Sequence, residues 1–425
     1  MKARNTVSRT CRSIDRRDLH KEQKMRGKRL ALFGVVLTVW FLAAVARCAE
    51  PSVNVILVGW DGAQRDHVKE CLARGELPTL KALADEGAMV DVDIIGTTDT
   101  KAGWSQILTG YNPEVTGVYS NGKFDTIPLG LSIFERLEAI YGKDDFVTCA
   151  IIGKKGHCGE INPPTKVPYT GPARAGDKVQ GQGLQDQPGA KKGPSATIVE
   201  ENGVKYACTP ASPYYNMHKA LEVWEFGLMQ DEAVGAKALE YLDKYKGKPF
   251  FFFVHFASVD HSGHQHGENS KEYNDALISN DAWTGKIIAK LKEQGVYDKT
   301  IIVVTADHGF NEDAKGHSYA PYVTLATNSK KVIRGGLRVD VAPTIYDLFG
   351  VDTSKFEPKL DGNPLTREAP PGVAKFTPRP EVDGKKPEVG KDGLIQKLTG
   401  KKGGGGRKGK GGGMGGRRAG KAAEK

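Results

Sequence analysis

Five β-branched residues in a row, Ile301 to Thr305, are followed by Ala306 and then by Asp307, His308 and Gly309. So short and apolar a run reads as a strand buried on both faces of a parallel sheet. In open sheets of that kind, chemistry sits just beyond the carboxyl ends of the strands. A carboxylate, an imidazole and a chain-turning glycine at that position therefore constrain fold and function together. Three more stretches repeat the pattern. Val53–Trp60 ends at Asp61-Gly62, Ala88–Ile95 leads into the polar turn Gly96–Thr100, and Phe251–Ser258 runs into Asp260 and His264. The expected fold is α/β, with a mostly parallel central sheet and helices on both faces.

Helical patterns fill the intervals. His67–Gly87 reads as mostly helical, interrupted between Gly75 and Pro78, with Leu77, Leu80 and Leu83 at helical spacing. A helix from Thr100 to Leu108, stopped by Gly110, sets Thr100 at a helix N-terminus, where free N–H groups and the dipole favour anions. Further helices are expected over Ser132–Tyr141, Gln230–Tyr245, Lys271–Glu293 and Arg338–Phe349, and strands over Phe146–Ile152 and Tyr322–Ala326. Residues 153–213 break the rhythm. They are rich in Gly, Pro, Lys and Gln, lack a sustained period, and exceed an ordinary connection. An irregular insertion capping the site is expected there, with a plain surface excursion as the alternative.

The net charge of +10 conceals a mildly acidic middle. Residues 1–29 carry eleven Lys/Arg against three Asp/Glu, and 401–425 carry nine against one, which leaves residues 30–400 at −6. That balance argues against specific nucleic-acid binding by the globular part. Residues 30–46 are apolar, follow Arg26, Lys28 and Arg29, and close on Ala44-Val45-Ala46. The expectation for residues 1–49 is a cleaved export signal, so that the protein is periplasmic or extracellular. Met25 would be a more ordinary start for such a signal, and an uncleaved single anchor is the rival. A hydrolase-sized domain then spans 50–368, followed by a Gly- and Lys-rich tail over 369–425 that cannot bury enough apolar surface to order itself. The tail is read as solvated, with anionic polymers or a membrane surface as alternative contacts. Cys71, Cys149, Cys158 and Cys208 lie beyond the leader; a Cys158–Cys208 disulfide and four free thiols are both open.

Asp61, Thr100, Asp260, His264, Asp307 and His308 all follow strand ends, and His317 lies nine residues after His308. Three Asp and three His suit zinc or a similar divalent ion, and six exceed what one zinc site uses. Two ions about 4 Å apart would stabilise both the attacking and the leaving oxygen of a phosphoester. A hydroxyl beside such an ion attacks without a histidine base, and Thr100 is placed for it, with Thr97 and Thr98 as the nearest substitutes. His255, His261 and His266 have no assigned role.

In these motifs the chain resembles the alkaline phosphatase superfamily, its nucleotide pyrophosphatase/phosphodiesterase and sulfatase-like branches above all. The likeness spans roughly residues 52–365 without 153–213. It rests on Asp61-Gly62, on Thr100 ten residues before Gly110, on Asp260 and His264 in VDHSGH, and on Thr305–Gly309 with His317 behind it. The resemblance implies an alkaline phosphatase-like fold and one metal held by Asp260, His264 and His317. It implies a second metal, zinc favoured for both, at Asp61, Asp307 and His308 with the Thr100 hydroxyl. Asn121, 21 residues after Thr100, stands where the phosphodiesterase branch has an asparagine contacting a phosphoryl oxygen. Where sulfatases carry Cys or Ser, then Pro and Arg, this chain has Thr100, Ala102 and Trp104; the phosphodiesterase branch has an aromatic and a proline where it has Lys101 and Ala102.

The expected activity is hydrolysis of a small-molecule or lipid-headgroup phosphoester, a phosphodiester or phosphonate, through a phosphothreonine. Alternatives are a sulfatase-like hydrolase, a phosphoryl-alcohol transferase of the envelope, and a non-catalytic binding protein on the same fold.

Overall fold

The computed structural model describes residues 51–180, 195–318, 320 and 322–369. The expected leader, and the basic tail from residue 370 on, lie outside the described residues. Among the described residues no helix is long and apolar enough to cross a membrane.

The centre is an eight-stranded sheet. Its strands are β1 (Asn54–Trp60), β2 (Ala88–Asp93), β3 (Val147–Ile152), β8 (Val223–Phe226), β9 (Phe250–Phe256), β10 (Thr300–Thr305), β11 (Tyr322–Thr327) and β12 (Gly336–Leu337). The order across the sheet is β12-β2-β11-β10-β1-β9-β3-β8. Only β11 runs against the others. Val55–Val58, Phe251–Val254 and Cys149–Ile152 are fully buried, as strands covered on both faces must be. In register Gly59 faces both Thr305 on β10 and His255 on β9, so the carboxyl ends of these three strands lie level. Whatever follows them in sequence starts from one line.

Helices cover both faces. The helix Lys271–Glu293 packs on Asp231–Lys244, where Trp283 fills the space left by Gly235, and on Pro78–Glu86 through Gly285 against Thr79. The other face carries the helices Thr100–Thr109, Ile133–Tyr141 and Val341–Phe349, with Gly110 against Ala342. The interrupted helix is found as Arg65–Ala73 and Pro78–Glu86, and Ser132 caps Ile133–Tyr141 through a capping box with Glu135. Edge strands β8 and β12 escape sequence reading because they are short and weakly patterned.

The insertion is more regular than its composition suggests. It holds a separate antiparallel sheet, β4 (Thr165–Pro168), β7 (Val204–Thr209), β6 (Ser195–Glu201) and β5 (Lys178–Gln180), in that order. Strands β6 and β7 are joined at Asn202-Gly203, both with positive φ (50° and 77°), the two-residue turn whose twist matches that of the strands. That Asn-Gly signal was present in the sequence and is outweighed there by the flanking Gly- and Pro-rich stretches. The sheet has its own small core of Ala196, Ile198 and Ala207. The optional Cys158–Cys208 disulfide is not formed. All four thiols are free, because Cys158 is buried in the main core whereas Cys208 lies on β7.

His67 ties the first helix to the far side of the site. Its Nδ1 lies 2.7 Å from Glu268 Oε1, and both residues are buried. Burial opposes protonation, but hydrogen bonds to Cys71 and Glu268 overcome it and push the imidazole from 6.5 up to about 10. A raised folded-state value means that the charged pair contributes its full stability below about pH 6.5 and loses it as the pH climbs through about 10. Thermal melts across that window should therefore show a steeper fall in Tm for the wild type than for His67→Gln. Parallel slopes would show that the pair stabilises nothing.

Candidate active site

Asp61 follows β1 directly and is wholly buried. Its Oδ2 accepts from Trp104 Nε1 at 3.2 Å and lies 2.9 Å from His255 Nε2. Its Oδ1 lies 2.9 Å from the Lys154 ammonium. Burial works against ionisation here, but Lys154 and then His255 outweigh it and hold the carboxyl well below the usual carboxylate range. His255 and Lys154 are site residues that sequence reading missed. Lys154 stands two residues past β3 and so obeys the strand-end rule used for the others. His255 lies inside β9, where only its level register with Gly59 brings it to Asp61.

Thr100 opens its helix, as expected. Its Oγ1 lies 3.0 Å from Lys154 Nζ and 3.3 Å from His308 Nε2. The substitutes are engaged elsewhere: Thr98 donates to the His317 carbonyl, and Thr97 Oγ1 accepts from Asp99 N. Gly103 lets the helix approach. A Cβ there would stand 2.7 Å from Asp307 Cβ, nearer than atoms pack. Asn121 is clipped to the same turn, its N–H on Asp99 Oδ2 at 2.8 Å and its Oδ1 taking the Lys101 N–H at 3.0 Å.

Asp260 and His264 lie not in a loop but on the helix Ser258–His266, one turn apart on the same face. His264 Nε2 is 3.4 Å from Asp260 Oδ1 and 3.2 Å from His317 Nε2. His264 Nδ1 points to the Lys315 carbonyl at 2.9 Å, so an N–H there leaves Nε2 bare. His308 repeats the device, with Nδ1 on the Gly309 carbonyl at 3.0 Å and Nε2 turned inward, its ring stacked 3.9 Å from that of His317. Asp260 Oδ1 and Asp307 Oδ2 are buried without any hydrogen-bond partner. Orphaned carboxylate oxygens beside bare imidazole nitrogens are what a divalent cation would satisfy, so this donor chemistry fits a metal.

The donors fall into two groups that share Asp260: Asp260, His264 and His317, and Asp61, Asp260 and His308. The first is the set expected. The second differs, because Asp307 turns Oδ1 to the Gly62 N–H at 3.3 Å and keeps Oδ2 3.4 Å from His308 Nε2. The charges are interdependent. Burial, then the neighbouring Asp61, drives the Asp307 carboxyl well up. Asp260 is held well down by Lys154 against its burial, and His317 is pushed down to about 3 by burial and then by His308. The adjacent Asp260 carboxylate raises His264.

Arg338 anchors the back of the site. It is buried and donates to Gln106 Oε1 at 2.8 Å, the Asp307 carbonyl at 2.6 Å and the Thr97 carbonyl at 3.1 Å. Arg338→Ala would strand two buried acceptors and one part-buried acceptor and should cost about 3 kcal/mol or more in denaturant unfolding. A loss below about 1 kcal/mol would mean that these bonds are replaced by water.

The insertion meets the site at both ends. Lys101 is buried, pairs with Glu160, and sits 4.0 Å over the Phe124 ring. The Tyr214 hydroxyl donates to the Lys101 carbonyl at 2.9 Å.

Two mouse proteins resemble the chain in sequence. Bis(5'-adenosyl)-triphosphatase enpp4 of Mus musculus is 23% identical over 264 residues, which is 62% of this chain and 48% of that protein. GPI ethanolamine phosphate transferase 1 of Mus musculus is 29% identical over 118 residues, 26% of this chain and 13% of that protein. The chain thus matches about half, or less, of the length of these relatives. Among solved structures, a protein in the alkaline phosphatase superfamily from Vibrio parahaemolyticus superposes with a TM-score of 0.46 at 18% identity, covering 76% of this chain and 71% of that one. The family model for type I phosphodiesterase / nucleotide pyrophosphatase matches residues 55–359, from the start of β1 to just past the last helix and across every residue discussed above. The chain therefore belongs to the type I phosphodiesterase / nucleotide pyrophosphatase family.

Proposed function

We propose that this chain is an exported, metal-assisted phosphoester hydrolase that cleaves a phosphodiester or phosphonate through Thr100. The observation that supports the reading is the Thr100 hydroxyl at 3.3 Å from the inward nitrogen of His308, among buried carboxylate oxygens that lack partners. Asp260, His264 and His317 would hold a divalent ion, zinc by donor type, and Asp61, Asp260 and His308 would border a second cation position. A divalent ion there supplies charge neutralisation to phosphoryl oxygens and eases deprotonation of a nearby hydroxyl.

Thr100 Oγ attacks phosphorus as it gives up its proton, the P–O bond to the departing alcohol breaks with its electron pair and that oxygen takes up a proton, and a phosphothreonine remains for water to cleave. Asn121, whose Oδ1 is taken by the Lys101 N–H, would offer its amide N–H groups to a phosphoryl oxygen. Export rests on the basic and apolar leader of residues 26–46.

The mouse relative named as an ethanolamine phosphate transferase supports a second reading, in which an acceptor alcohol replaces water in the second step. Aryl phosphate, phosphodiester, phosphonate and sulfate esters, assayed with and without EDTA, separate these readings. Chelator-sensitive turnover of a diester or phosphonate is expected. Turnover of the sulfate ester alone, or turnover that resists EDTA and dialysis, would overturn the proposal; consumption only when an acceptor alcohol is added would select transfer.

A further inference from the structure

The six ligand-type residues do not stand alone in the centre. Lys154 Nζ lies 2.9 Å from Asp61 Oδ1, 2.9 Å from Asp260 Oδ2 and 3.0 Å from Thr100 Oγ1. An ammonium has three donors, and three oxygens meet it here. Two of those oxygens belong to the second donor group and the third is the proposed nucleophile. We propose that the Lys154 ammonium is the second cation of this centre, so that the site carries one divalent ion, at Asp260, His264 and His317, and not two. The inference rests on the metal-assisted reading of the same site and specifies its composition.

Three arguments support it. The first is space: an ammonium and a metal ion cannot both stand within ligand distance of Asp61 Oδ1, Asp260 Oδ2 and Thr100 Oγ1 without severe repulsion in a buried site. The second is charge. Asp61 and Asp260 are buried carboxylates that both pair with the Lys154 ammonium, which gives each a counter-charge without a second metal ion. Arg338, which donates to the Gln106 side chain and to two backbone carbonyls, adds a further buried positive charge. A second divalent ion in addition would leave a buried excess of positive charge, which is costly. The third is delivery. Lys154 follows β3, Gly153 closes against the His255 carbonyl at 3.1 Å from where a Cβ would be, and the Gly153 N–H bonds that carbonyl at 2.9 Å. The backbone that carries Lys154 is pinned to the strand whose His255 holds Asp61.

The test is metal stoichiometry, which does not depend on finding a substrate. The full-length protein is saturated with ZnCl2, dialysed, and analysed for zinc per chain, alongside Lys154→Met and Lys154→Arg. One zinc per chain is expected for the wild type and for Lys154→Arg, and two for Lys154→Met. Two zinc ions in the wild type would overturn the inference and leave the hydrolase reading standing. One zinc in folded Lys154→Met would overturn it as well, because the ammonium would then not be what keeps the second ion out. No bound zinc in the wild type would remove both this inference and the metal-assisted reading. Should Lys154→Met not fold, the wild-type count alone decides.

Discussion

Thr100→Ala is expected to lower kcat/KM by on the order of 10³-fold or more on any phosphoester the wild type turns over, because no other hydroxyl can take its place. Thr97 and Thr98 are occupied by Asp99 N and the His317 carbonyl. Thr100 Oγ1 alone of the three meets both Lys154 and His308. Thr100→Ser should retain far more activity than the alanine variant, since it restores the attacking oxygen. Acid quenching during turnover, followed by peptide mass spectrometry, should find the phosphoryl group on the peptide that contains Thr100. Undiminished turnover by Thr100→Ala would remove the covalent mechanism whatever the metal content.

Asp260→Asn should be nearly as damaging, for a different reason. Asp260 belongs to both donor groups, and its Oδ2 also holds Lys154. Losing one carboxylate charge weakens the ion at His264 and His317 and releases the ammonium that contacts Thr100. Loss of outer-shell partners of a metal commonly costs 10- to 100-fold in affinity or activity, so loss of a shared ligand should cost about 100-fold or more. Bound zinc should fall in parallel with kcat/KM, and Tm should fall as well, because the buried Lys154 ammonium loses one of its two carboxylate partners. Full zinc occupancy with normal activity would show that Asp260 is not a ligand.

Much of this site was legible before any coordinates. The strand-end pattern identified Asp61, Thr100, Asp260, His264, Asp307 and His308, and the structure gathers them with His317 at one edge of the sheet. The rule works because parallel strands in register end level, so residues that follow different strands become neighbours without any local signal. The long helix Lys271–Glu293 was equally plain, and its bounds fall where expected. Lys154 was missed although it follows a strand. A lysine in a Gly- and Lys-rich stretch reads as solvated, and only burial between two carboxylates gives it another meaning. His255 and Arg338 lie within predicted elements, and nothing local distinguishes them from ordinary interior or helix-start residues. The hairpin at Asn202-Gly203 was a local signal overlooked in an unpromising context.

The order of apolar runs and punctuating residues determined an α/β sheet whose strand ends carry ligand-type side chains, because hydrophobic period and turn chemistry act over a few residues and are written in them. Which charges meet at that edge was decided only by the fold. Whether an ammonium or an ion faces the Thr100 hydroxyl depends on how β3 is pinned beside β9, and on burial that makes a buried carboxylate find a counter-charge.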